Sequence, residues 1–179
     1  MTSKEQTQVL VAQRFLRSAF QLLSNEYGVH AESAIAGVAR MAGTFMFRSF
    51  ALPLSDVSPG QVVFSEQANE QGPALVSLMC GVLSGMEIEL DTDTLGQTRD
   101  GEHDPLFDFL ETQTLLEPAF ETIRTENELT YEEAAEAGAI ATAFLVHQVQ
   151  DVLDPRTAAD VAVFALIEGT KTAPDPVAH

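Results

Sequence analysis

The sequence predicts an all-α fold, a globular bundle of six to seven helices, on three observations. Apolar residues recur at three- and four-residue steps through most of the chain. Helix-start signals, a Ser, Thr or Asp followed by Glu or Pro, stand before several of those stretches. Two segments are apolar nearly all round and rich in Ala and Gly, the composition of helices at the centre of a bundle.

The elements follow in order. Val9, Ala12, Leu16, Ala19, Phe20, Leu23 and Tyr27 form one stripe, so a helix is expected from about Lys4 to Glu26, with Gly28 as its stop. The next, from about His30 to Phe50, is the first of the two central helices; Ala31, Ala34, Ala36, Gly37, Ala39, Ala42 and Gly43 let neighbours approach closely. Pro53 and Ser58-Pro59-Gly60 mark a loop. A third helix, from Asn69 or Pro73 to Gly85, takes Pro73 in its first turn. Asp104-Pro105 reads as a cap and first turn, and Pro118 as a break, with Thr114 and Glu117 opening a fresh helix to Arg124. Thr130 with Glu133 is a capping box for the second central helix, to about Val152. Asp154-Pro155 opens the last helix, which runs to about Gly169. At most a short β-piece is expected near residues 61–64 or 86–91, the latter from the alternation Met86-Glu-Ile-Glu-Leu. Residues 1–172 are expected to form a single helical domain, and 173–179, with Pro174 and Pro176, a frayed tail.

Composition narrows the functions. Against 27 acidic residues stand 9 basic ones, a formal net charge of −18, and only Lys4 and Lys171 are lysines. Nucleic-acid binding relies on cations that neutralise phosphates, so it is excluded, and anionic membrane surfaces with it. A basic protein partner is compatible with this charge, though high charge first of all signals solubility. Cys80 is the only cysteine, which rules out an intramolecular disulfide. The opening residues lack a basic stretch followed by an apolar run, and no window of eighteen residues is apolar and uncharged. A soluble, cytoplasmic protein is therefore expected.

Three constellations carry chemistry. His30, Ser33, Gly37, Arg40, Thr44 and Arg48 share one face of the second helix. Guanidinium groups recognise carboxylate or phosphate, so His30, Arg40, Thr44 and Arg48 form a candidate site for a small anionic ligand. Against this, the stripe is also what a solvent face, or arginines paired with nearby acids, would look like. Arg40 and Arg48 stand about 12 Å apart along a helix, too far for one small anion. The second is the loop 91–102, which matches a calcium loop at Asp91, Asp93, Gly96 and Glu102 but places Leu95 and Arg99 where oxygen ligands belong. The third is His103 with Asp104, Asp108 and Glu111, acids on one helical face that equally suit a helix N-terminus. Asp91, Asp93, Glu102, Asp104 and Asp108 are thus the candidate divalent-metal ligands, with an acidic surface as the simpler explanation. Cys80 and His147 read as an inert thiol and a structural histidine.

The chain holds no phosphate-binding glycine loop, no nucleophile elbow, no His-Glu-x-x-His and no zinc-type cysteine spacing. No cofactor is expected. The expected function is a non-catalytic helical interaction domain working as a homodimer. The alternative is a binding protein or unusual enzyme for a small anionic metabolite, and the third reading a divalent-metal-binding protein.

Overall fold

The structure is a computed structural model and describes residues 1–97 and 101–176. Among the described residues six α-helices form the bundle: α1 (Ser3–Leu23), α2 (Ala31–Ser49), α3 (Glu66–Gly85), α4 (Phe109–Glu126), α5 (Tyr131–Gln148) and α6 (Pro155–Lys171), with one 3-10 turn at Gly101–His103. Among the described residues the only β features are two isolated bridges, Asn25 with Gly28 and Val62 with Thr172. No described helix is long and apolar enough to cross a membrane.

The centre of the bundle is α2. It packs against all five other helices, most extensively α6 and α5. Small residues make this possible. A Cβ on Gly43 would stand 2.4 Å from the carbonyl oxygen of Leu166, and one on Gly138 only 2.7 Å from Cβ of Ala42. The backbones of α2, α5 and α6 therefore approach to near-contact. Around them α1 and α4 contribute larger side chains. Phe15 stacks on Phe120 with ring centroids 4.3 Å apart, and Phe45 lies 6.1 Å from Phe15.

Several boundaries follow the sequence signals. Thr130 and Glu133 form their capping box, and Asp154 accepts from the N–H groups of Arg156 and Thr157 with Pro155 at the first helical position. Gly28 does take a positive φ of 102°, but in a tight turn five residues beyond the end of α1, which leaves Tyr27 outside the core.

Other expectations are overturned. Pro118 does not break its segment but lies inside α4, and α3 starts at Glu66, so Pro73 stands in its interior rather than in its first turn. Each deprives the carbonyl four residues earlier of its partner. Asn69, Pro73, Thr114 and Pro118 are all exposed, where water can replace the lost bonds, while Leu75 and Leu116 are buried in the core. The first turn of α3 is set by Ser65, whose side chain accepts from Ala68 N–H. Asp104 caps no α-helix. That role falls to Asp108, whose box with Glu111 opens α4.

Residues 86–91 are not a strand. The N–H groups of Met86 and Ile88 turn back to the Leu83 carbonyl, and Glu87 sits at φ 64°. The alternation is real as burial, since Met86, Ile88 and Leu90 rest half-buried on the core, but no second strand pairs with them. Residues 61–63 do pair, with the start of the tail. In the described part of the tail, Ala173 and Pro174 are buried, and Thr172, Ala173 and Asp175 are hydrogen-bonded to residues outside it.

Candidate functional site

The polar face of α2 divides into separate environments. Arg40, midway along the helix, is 6% exposed. Its Nε donates to Glu168 of α6 at 2.6 Å. Nη1 donates both to the Phe107 carbonyl at 2.8 Å and to the Thr112 hydroxyl at 3.0 Å. Three of its five N–H bonds are thereby spent. Nη2 has no hydrogen-bond partner among the described residues, nor is it among the fully buried side-chain atoms that lack one. It therefore keeps access to solvent, and Arg40 lines a cleft of about 150 Å³ between α2, the segment before α4 and α6.

The cleft has Ala36 and Ala165 on its inner wall, and His103, Asp104, Asp160 and Phe164 among its other lining residues. Phe164 is 40% exposed. Asp160 is held in place: one oxygen accepts from Gly96 N–H at 2.8 Å, the other from Arg156 Nε at 3.2 Å. His103 Nδ1 lies 3.0 Å from a carboxylate oxygen of Glu32, whose other oxygen is 3.3 Å from His30 Nε2. Burial alone would raise the Glu32 pKa. The hydrogen bond from His103, its own backbone N–H and the charges of His30 and His103 outweigh that, and the net shift is downward. Glu32 thus anchors His103 at the cleft.

The remaining candidates lie elsewhere. His30 caps α2, its Nδ1 accepting from Ser33 N–H. Thr44 is buried at 1% exposure, and its hydroxyl is the one fully buried side-chain oxygen or nitrogen without a partner among the described residues. Arg48 points away from the Arg40 cleft, donating to Glu117 of α4 and to the Asp175 carbonyl, both at 2.6 Å. The stripe is therefore neither a solvent face nor one continuous ligand surface. Both arginines meet acids, and only Arg40 lines this cleft.

The proposed metal ligands are dispersed among structural tasks. Asp91 accepts from Asp93 N–H within a turn, Asp108 caps α4, Glu102 is exposed in the 3-10 turn and Asp104 borders the cleft. Among the described residues no group of three or more His, Cys, Asp or Glu side chains is placed to hold a metal ion. Arg99 of the calcium-loop alignment lies outside the described residues. Burial pushes the Cys80 thiol up, away from the reactive thiolate, and His147 sits half-buried in the last turn of α5.

Sequence reasoning missed Glu168, Glu32, Gln113 and Phe164. Phe164 and Glu168 sit in a helix recognised by its Asp154-Pro155 start, with no side chain within it singled out. Glu32 lay unnoticed one residue from Ala31 and Ser33 on the same helix as the stripe. Compared with known protein families, with curated proteins and with solved structures, the chain matches none.

Proposed function

We propose that the cleft beside Arg40 binds a small molecule that presents an acceptor oxygen to Nη2. The observation that carries this reading is the unspent amino group of a guanidinium that is otherwise buried and fixed by three hydrogen bonds. Such a donor is already oriented, so little entropy is lost in using it. The surrounding charge limits the ligand. Glu168 already faces Arg40, Asp104 and Asp160 line the cleft, and the chain carries −18 overall. An amide or amino acid, with little or no net charge, meets less repulsion here than a bare anion. A cavity of this size takes a body about as large as a benzene ring.

The test is thermal unfolding with a panel of small carboxylates, amides and amino acids at about 10 mM each. A ligand at about 100 times its Kd stabilises by about 2.7 kcal/mol, a rise in Tm of roughly 5–10 °C at this chain length. The shift should vanish in Val161→Trp, which fills the cleft from α6. No shift with any member of the panel, or a shift that survives in a helical Val161→Trp protein, would remove the proposal.

A second reading, self-association as a homodimer, draws on α3. Residues 71–86 carry no charged side chain. Ala74, Ser77 and Gly81 within them are exposed, with Leu78 and Val82 beside them only half-buried. Two copies of a strongly acidic chain meet least repulsion where both faces lack carboxylates. Native mass spectrometry decides this. A dimer lost in Gly81→Glu supports the reading, and a monomer at every concentration tested excludes it.

A further inference from the structure

A separate site lies at the other end of α2. Thr172, in extended conformation, bridges to Val62, and the backbone ladder continues on both sides of it. Val63 N–H donates to the Lys171 carbonyl and Gly60 N–H to the Ala173 carbonyl, both at 2.7 Å; Ala173 N–H donates to the Gln61 carbonyl at 2.9 Å. Two residues further on, a side-chain amide takes over. Gln113 of α4 accepts from Asp175 N–H at 3.1 Å and donates to the Asp175 carbonyl at 3.2 Å. Arg48 donates to that same carbonyl.

These contacts share one property: all of them read the main chain. The Asp175 carboxylate makes none of them. The clamp itself is built into the core. Gln113 is 4% exposed, and its amide also donates to Glu117, which in turn holds Arg48. The groups that meet the tail backbone are thus held by partners within the helices. Pro174 and Pro176 flank the clamped residue and border a cleft of about 280 Å³ with Phe47, Leu52, Leu54 and Tyr131. Backbone hydrogen bonds beside aromatic and aliphatic walls are the means by which proteins hold extended, proline-containing peptides.

We propose that this groove is a recognition site for an extended Pro-x-Pro peptide, and that residues 172–176 are its resident ligand, bound in cis.

The test uses the full chain. Ala173→Glu places a charge at a position 1% exposed and so expels the tail without touching a helix. The probe is a fluorescein-labelled peptide with the sequence of residues 171–176, followed by fluorescence anisotropy. A tethered tail competes at an effective concentration of about 1 mM, so the variant should bind the probe at least about tenfold tighter than the parent. Adding Gln113→Ala should weaken that binding by about tenfold or more. Absence of saturable binding to an Ala173→Glu protein with intact helical circular dichroism overturns the proposal, as does binding indifferent to Gln113. Should Ala173→Glu unfold, hydrogen exchange on the parent decides. The Ala173 and Asp175 amides should exchange through local opening, and faster with unlabelled peptide at about 1 mM. Unchanged exchange overturns the proposal.

Discussion

Gly43→Ala should destabilise the protein by about 3 kcal/mol, although alanine is the better helix former. The added Cβ would lie 2.4 Å from the Leu166 carbonyl oxygen and 2.6 Å from Gly169 Cα. Both are backbone atoms, so no rotamer change relieves the clash, and α6 as a whole must move off α2. That separation would also loosen Gly169, whose own Cβ position is 2.6 Å from the Arg40 carbonyl. The expected fall in Tm is roughly 6–12 °C. Gly81→Ala is the contrast. Nothing lies within 4 Å of its Cβ position on exposed α3, so the substitution should add about 0.5–1 kcal/mol through helix propensity alone. Urea unfolding of both variants measures the difference. Equal effects would mean that the approach of α2 to α6 is not what those glycines are for.

The second large effect concerns the buried ion pair at the end of α2. Side chains of Arg48 and Glu117 are 12% and 10% exposed. Arg48→Leu strands the Glu117 carboxylate with Gln113 as its remaining partner, and should cost about 3 kcal/mol. Replacing both, Arg48→Leu with Glu117→Leu, removes the stranded charge along with its partner. The double variant should recover most of the loss, a coupling of about 2 kcal/mol in the cycle. Arg14 and Glu126 serve as the surface reference, at 39% and 52% exposure. Breaking that pair should change stability by about 0.5 kcal/mol or less. A double Arg48–Glu117 variant as unstable as the single one would place the loss in packing or in the tail contact rather than in the charge.

What the sequence made legible was local. Thr130 with Glu133, and Asp154 with Pro155, announced helix starts because a cap and its partner lie within four residues. The small-residue runs of α2 and α5 announced the centre because close helix approach demands them. The failures share a cause, which is that tertiary context decides. Pro118 breaks no helix, and Pro73 stands inside α3 rather than in its first turn, because each is exposed with a packed face behind it. The alternation at 86–90 reports a half-buried segment on a core, and a strand needs a partner that spacing cannot supply. Within the site, Arg40 stood out by residue type and register, but Glu168 is 128 residues away in the chain and the Phe107 carbonyl 67. Arg40 and Arg48 share a face of α2, and it is their distant partners that send one to a cleft and the other to a buried clamp.

The Arg40 cleft is tested most directly by nuclear magnetic resonance of the arginine side chains during titration with the panel member that most raises Tm. The account predicts that the Arg40 guanidinium signals shift with saturation while those of Arg48 stay in place, because only Nη2 of Arg40 is unspent at that cleft. A saturating ligand that leaves Arg40 unmoved, or that moves Arg48 instead, would contradict it.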